Sequence, residues 1–228
     1  MRGAPILEQL QLEEALLRSD SRNICLINQG STPAIVMGVS THKEDVVDLK
    51  KAARDNILLI KRFSGGGTVY IDEKTLFVTF IWQKEDIDLP PFPREIMKLS
   101  ERIYAPLFGS LPFSLRENDY VIGEKKVGGN AQYFQKMRFL HHTSFLWEFD
   151  PLKMDYLLQP KKQPEYRQNR PHSDFLTSLF PHFSSIERFV DALKRSLSAF
   201  FSLQELSQEE AKKTLLLPHR KATQIIAF

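Results

Sequence analysis

The sequence holds one cysteine, Cys25, in 228 residues. A single thiol builds neither a disulfide framework nor a cysteine metal site within the chain, and a reducing, cytoplasmic setting is expected. No stretch approaches the roughly 20 apolar residues of a membrane helix. The opening, Met1 to Asp20, is rich in Glu, Gln and Leu and has no basic segment leading into an apolar one. Membrane spanning, secretion and organelle import are therefore not expected. Charge of one sign is also scarce: a formal charge of +3 neither demands nucleic acid nor excludes an acidic protein partner. Internal repeats and low-complexity tracts are absent.

What the chain does have is apolar material. Hydrophobic residues make up 42%, and 17 of the aromatics are Phe. A chain of this length buries about 70–75% of its unfolded surface, enough for a core and a pocket. Periodicity predicts a helix over Pro5–Arg18, strands over Ile24–Ile27 and Ala34–Val39, and a helix over Lys43–Arg54 with Val46, Val47, Leu49 and Ala53 inward. A strand over Ile57–Ile60 runs into glycines, and Thr68–Ile71 and Leu76–Trp82 read as a strand pair around Asp72-Glu73-Lys74. After a Pro90–Pro93 break come a helix over Arg94–Leu107 and short strands over Phe113–Leu115, Tyr120–Ile122, Lys125–Val127, Ala131–Phe134 and Arg138–Phe149. From Pro151 helical segments follow (Leu152–Leu158, Phe175–Leu179, Ile186–Leu203), joined by a basic loop, Gln159–Pro171. The pattern is α+β, with mixed, largely antiparallel sheets flanked by helices. One domain over 1–228 is expected, strand-rich to residue 150 and helical from 151 to 228.

Two segments carry chemistry. In Arg62-Phe63-Ser64-Gly65-Gly66-Gly67-Thr68-Val69-Tyr70, three glycines leave a backbone free of Cβ atoms whose N–H groups can converge on an anion. Arg62 can offer a bidentate fork to a carboxylate or phosphate. A hairpin loop in which glycine only supplies positive φ is the plain alternative. It is not a Walker loop, because no Lys-[Ser/Thr] follows the glycines. The second segment, Asn118-Asp119-Tyr120-Val121-Ile122-Gly123-Glu124-Lys125-Lys126-Val127-Gly128-Gly129-Asn130-Ala131-Gln132, sets a lysine beside a Gly-Gly turn and precedes His141-His142-Thr143-Ser144.

Together the two segments, with the helix Leu10–Leu17, resemble the lipoate–protein ligase A branch of the biotin/lipoate ligase catalytic-domain superfamily, over roughly residues 8 to 150. The resemblance implies an ATP- and magnesium-dependent activation of lipoate or octanoate to acyl-AMP. The acyl group then passes to a lysine of a lipoyl carrier domain, in a 2-oxoacid dehydrogenase complex or glycine cleavage H protein. Adenylation brings a carboxylate against a phosphate, and a fixed cation between them lowers the repulsion. Lys126 matches the family's lysine for that role, and in a strand Lys125 would face the other way. Arg62 would pair with phosphate or acyl carbonyl, Gly65–Gly67 would close over the ligand, and Gly129, Asn130 and Ala131 would form a second wall. Ser64, Thr68, Val69, Tyr70, Asn118, His142 and Ser144 complete the implied binding set. Asp119 either helps hold magnesium–ATP or starts a strand.

Some features depart from this pattern. Ile71 stands where the family often has histidine, Gly128 and Asn130 stand where it has small polar residues, and Lys61-Arg62 replaces a double arginine. A C-terminal accessory domain of the family is expected to be absent, with a separate accessory-domain protein as its expected source. His141-His142 invites a metal reading, but adjacent strand residues face opposite sides and no third ligand is near. Tyr166-Arg167-Gln168-Asn169-Arg170-Pro171-His172 reads as a solvated basic loop, with docking of an acidic acceptor domain as the alternative. The rivals are an octanoyl or lipoyl transferase of the same fold, which needs a cysteine nucleophile, a biotin ligase, which would be expected to carry an arginine-rich Gly-Arg-Gly-Arg-type loop, and a lipoyl-domain-binding protein without turnover.

Overall fold

A computed structural model describes residues 1–159 and 163–228; positions 160–162 of the predicted Gln159–Pro171 loop lie outside the described residues. In chain order the elements are α1 (Ile6–Ser19), β1 (Ile24–Gln29), β2 (Ala34–Met37), α2 (Leu49–Arg54), β3 (Leu58–Lys61), β4 (Val69–Ile71) and β5 (Thr75–Gln83). Then come α3 (Pro93–Phe108), β6 (Phe113–Arg116), β7 (Asp119–Ile122), β8 (Lys125–Phe134), β9 (Arg138–Leu146), α4 (Pro151–Met154), α5 (His172–Phe175), α6 (Ile186–Leu197), α7 (Gln208–Lys213) and β10 (Gln224–Ile225).

The strands form two sheets, one of six strands in the order β1-β5-β9-β8-β7-β6 and one of four in the order β10-β3-β2-β4. All pairs are antiparallel except β2 with β3, so the expected α+β class with largely antiparallel sheets holds. One face of the six-stranded sheet carries α3 and α6 over an aromatic core that includes Phe80, Trp82, Tyr104, Tyr120, Phe139, Phe145 and Phe189. The four-stranded sheet meets α1 through Ile6 and Leu10 against Val36, Ile60 and Ile71, with Phe77 of β5 in the same cluster. Edge-to-face and stacked pairs such as Tyr104–Phe145 at 5.0 Å and Phe108–Phe113 at 3.9 Å add specific geometry to that burial.

Several predicted elements change. Thr68–Ile71 and Leu76–Trp82 are not a pair: β4 joins β2 in one sheet and β5 joins β1 and β9 in the other. Asp72–Lys74 is therefore a crossing between sheets, pinned by the Thr75 hydroxyl accepting from Asp72 N (3.2 Å) and by Asp72 accepting from Lys74 N (2.9 Å). The helix over Lys43–Arg54 splits into a 3₁₀ turn, Lys43–Asp45, and α2, because Val47 bridges Leu157 and Asp48 caps α2 by accepting from Lys51 N; Ala52, not Ala53, faces inward. Gly128-Gly129 does not break the strand: β8 runs through it, since an added Cβ at Gly128 would lie 2.9 Å from Phe145, which fills the space above. Helix continues neither over Leu152–Leu158, where only Pro151–Met154 is helical, nor over Phe175–Leu179, nor past Leu197. Helix α1 is not half-exposed: Leu12 to Leu17 are all buried, because the sheet covers one side and the C-terminal segment the other. There Glu14 accepts from Ala222 N and Thr223 N at 3.0–3.1 Å, and β10 pairs with the strand that leads to Arg62.

Candidate active site

Arg62 follows β3 and is buried, 4% exposed. Its Nη2 donates to Gly65 O (3.0 Å) and Gly67 O (2.8 Å) and its Nη1 to Val36 O (3.3 Å), while Nε is buried without a partner. Burial pushes its guanidinium down to about 10, which leaves it cationic at neutral pH with no carboxylate bound to it. The arginine therefore first holds the glycine loop in shape, with Nε left spare. Gly66 has φ +111°, and a Cβ there would lie 2.8 Å from Arg62 Nη2 and 2.9 Å from Asn130 O, so this position requires glycine. Gly65 N donates across to Gln132 O of β8 (3.2 Å) and Ser64 O accepts from Val39 N (3.1 Å), which ties the loop to both sheets.

On the facing strand, Lys126 Nζ lies 2.7 Å from Asp119 Oδ1. Asp119 Oδ2 accepts from the Tyr166 hydroxyl at 2.9 Å. The register between β7 and β8 shifts, with Asp119 opposite Gly129, Tyr120 opposite Gly128 and Val121 opposite Lys126, leaving Val127 as an extra residue. That bulge puts Lys126 and Gly129 on the same side of the strand despite their odd spacing; an added Cβ on Gly129 would point to 3.3 Å from Lys126 Nζ. Val127 goes to the aromatic core, and Lys125 is exposed. Asn130 is held from two directions, donating Nδ2 to Asn118 O (3.0 Å) and accepting from the Thr143 hydroxyl (2.9 Å).

The two adjacent histidines part company as strand geometry demands. His141 is buried in the aromatic core beside Tyr120 and Gln132 (3.3 and 3.0 Å), and burial, then His142, pushes its imidazole down to about 3. His142 faces the other way, with Nδ1 at 3.0 Å from Glu13 Oε2. A carboxylate only accepts, so Nδ1 donates to it. Fully buried Glu13 also accepts from Thr79 Oγ1 and Gln9 Nε2, both at 2.7 Å. Sequence reading did not find this pair; its signal was two adjacent glutamates, Glu13 and Glu14, flanked by Leu12 and by Ala15 to Leu17.

Between the sheets lies a cavity of about 430 Å³, within the roughly 300–1,000 Å³ of small-molecule pockets. One part is apolar, with Ile6, Leu10, Val36, Ile71 and Phe77 in its wall. The other is polar and brings together Arg62, Gly67, Thr68, Val69, Tyr70, Asn118, Asp119, Lys126, Gly129, Asn130, Ala131, His142 and Ser144 from the two predicted segments. Ser64, Gly65 and Gly66 stay outside this wall; Gly65 and Gly66 border a second, smaller space with Pro93, Met97 and Gln132. Arg167, His172 and Phe175 also line the main cavity, so the loop read as solvated turns inward. Among the described residues its wall holds three permanent cations, Arg62, Lys126 and Arg167, against one carboxylate, Asp119. Such a wall suits anions in an apolar setting. Among the described residues no three His, Cys, Asp or Glu side chains come together as a metal site, and no helix is long and apolar enough to cross a membrane. Cys25 on β1 packs half-buried against the aromatic core, outside the cavity wall, and desolvation pushes its thiol up to about 12.

Residues 5–198 match the lipoyl protein ligase A/B catalytic domain. The inactive lipoate–protein ligase 2 of Plasmodium falciparum is 32% identical, across 76% of this chain and 60% of that protein. The lipoate–protein ligase LplJ of Bacillus subtilis is 23% identical, across 80% of this chain and 53% of that protein. The chain thus spans a little over half the length of these two relatives. The fold is that of the bi-partite lipoate–protein ligase of Thermoplasma acidophilum (TM-score 0.76, 20% identity, 95% of this chain and 88% of that one). It is equally that of a lipoate–protein ligase A solved with ATP bound (TM-score 0.75, 19% identity, 95% of this chain and 90% of that one). The chain belongs to the lipoate–protein ligase A family and carries its catalytic domain.

Proposed function

We propose that the chain activates lipoate or octanoate with ATP and transfers the acyl group from acyl-AMP to a lysine of a lipoyl carrier domain. The single observation behind this is the cavity wall: an apolar part suited to an acyl chain adjoins a part with three cations and one carboxylate. Two mutually repelling anions, a carboxylate and a phosphate, need that arrangement to approach. Lys126 is the residue that would lie between them. Asp119 holds it at 2.7 Å, which fixes its position in the wall. As the only carboxylate in the wall among the described residues, Asp119 would also take magnesium arriving on the triphosphate; that ion commonly uses one or two carboxylates plus phosphate oxygens. Lys126 would then pass to the phosphate. His142, with Nδ1 fixed by Glu13, and Ser144 would contact the acyl-adenylate, and the glycine loop would exclude water from it. Neither step needs a protein nucleophile. Cys25, outside the cavity wall, offers none, which weighs against the transferase reading.

A second reading, binding without turnover, is favoured by the inactive Plasmodium relative. One assay separates the two. The purified chain is incubated with magnesium–ATP, lipoate and an apo lipoyl domain, with and without preformed lipoyl-AMP and with and without a candidate accessory protein, and the acceptor mass is read. A lipoyl adduct is expected. No adduct in any arm sinks the enzyme reading, while adduct from lipoyl-AMP alone confines the chain to transfer. Lys126→Ala is expected to cut adenylation by about 10²- to 10³-fold, as loss of one charge-stabilising donor does.

A further inference from the structure

The segment between Glu165 and Phe175 carries charge that the reaction has not yet been given a use for. Tyr166 and Arg167 are buried in a 3₁₀ turn, and Thr177 N donates to Lys126 O (2.8 Å), which zips the segment along β8. Arg167, 4% exposed, donates Nε to Arg170 O (3.0 Å) and lies over Phe175 at 4.9 Å. Its Nη2 is buried with no partner. A buried charged donor left unmade is costly and is normally matched by ligand, water or protein. The residue borders the cavity together with Lys126 and His172, and Asp119, the carboxylate whose charge acts on it, is occupied by Lys126 and Tyr166.

The cations of the wall divide by what they have left to give. Arg62 has engaged Nη2 on the glycine loop and Nη1 on the Val36 carbonyl, and Lys126 is the group for the α-phosphate and carboxylate. A triphosphate brings two further phosphates, and Arg167 is the guanidinium in the wall with an unused terminal nitrogen. We propose that Arg167, placed by Tyr166 and Arg170, binds the β- and γ-phosphates of ATP and then the departing pyrophosphate. The acyl carboxylate oxygen attacks the α-phosphorus, the bond from that phosphorus to the bridging oxygen breaks, and its electron pair leaves on pyrophosphate beside Arg167. This assignment rests on the adenylation reading above but concerns only its first half-reaction.

Calorimetry with pyrophosphate and with AMP tests the site, alongside the two half-reactions, in the wild-type chain, Arg167→Ala and Arg167→Lys. Wild type is expected to bind pyrophosphate. Arg167→Ala is expected to weaken it about 10- to 100-fold, the scale of a lost charge-assisted pair, with AMP binding within about threefold of wild type. KM for ATP should rise similarly, acyl transfer from preformed acyl-AMP should hardly change, and Arg167→Lys should recover part of the loss. Equal weakening of AMP and pyrophosphate, or of both half-reactions together with a lowered melting temperature in both variants, overturns the assignment, since a purely structural arginine would do that. Unchanged pyrophosphate binding overturns it as well, with the ligase reading left standing if adenylation persists. Arg167-dependent pyrophosphate binding in a chain that forms no acyl-AMP keeps the site and sinks the ligase reading.

Discussion

Replacing Gly66 by alanine puts the glycine loop to the test, because two independent costs meet at one methyl group. The backbone there has φ +111°, a conformation that costs a residue with a Cβ about 1–3 kcal/mol. The methyl would also lie 2.8 Å from Arg62 Nη2 and 2.9 Å from the Asn130 carbonyl oxygen. Arg62 could swing away, but it would give up charge-assisted hydrogen bonds to Gly65 O and Gly67 O, about 1.5–3 kcal/mol each. The loop could instead lift off β8, losing the Gly65 N–H to Gln132 O bond, about 0.5–1.5 kcal/mol. The second route is cheaper. A stiffer unfolded chain returns about 0.4–1 kcal/mol, so a net loss of about 1–4 kcal/mol is expected, with the loop open in what remains folded. Urea unfolding followed by the fluorescence of Trp82 and Trp147 measures the first, and calorimetric titration of acyl-AMP the second. Gly67→Ala is the stability control, since its Cβ meets nothing within 4 Å and its φ is not positive; its midpoint should match wild type within about 0.5 kcal/mol. Equal midpoints for the two variants, together with unweakened acyl-AMP binding by Gly66→Ala, would refute the account of Arg62 as the clip that shapes the loop.

Other expectations follow from buried groups. His141 titrates near 3 in the folded chain against 6.5 when unfolded, so the unfolded chain takes the proton first as pH falls. Its contribution is complete above about pH 6.5 and declines by about 1.4 kcal/mol per unit toward pH 3; urea midpoints across that window should fall more gently in His141→Asn than in wild type. Glu13→Ala strands His142, Thr79 and Gln9 at once and should lower stability by about 3–5 kcal/mol, whereas Glu13→Gln should cost about 1–3 in the same urea assay. Cys25→Ala should retain acyl transfer within about threefold, and alkylating reagents should spare activity, because the thiol is held at about 12.

The site's two motifs were legible because their residue types are few and their order is fixed. Glycines needing free backbone, an arginine before them, and a lysine beside Gly-Gly and after Asn-Asp point to anion chemistry at the level of single residues. Pairing was less legible. The sequence presents Val69–Ile71 and Leu76–Trp82 as neighbours, but which sheet each joins depends on Ile35 opposite Tyr70 and Phe80 opposite His141, contacts distant in sequence. The Gly-Gly of β8 imitates a turn until Phe145 above it is known. Strand β10 is two exposed residues long and is fixed by Glu14, more than 200 residues upstream. Arg167 was hidden by its basic neighbours; the local hint was aromatic, since Tyr166 and Phe175 bracket the arginines and need burial themselves.

The extra residue at Val127 makes the aim of Lys126 a matter of phase. Side chains along a strand alternate like steps, and one added step is what brings positions 126 and 129 to the same wall. Substituting valine by another apolar side chain leaves the count intact, so the lysine keeps its direction. Deleting one residue anywhere between 126 and 129 would turn the ammonium toward the aromatic core while leaving every functional side chain present in the sequence. Loss of function in this domain can therefore come from a change of length that no inventory of motif residues would detect.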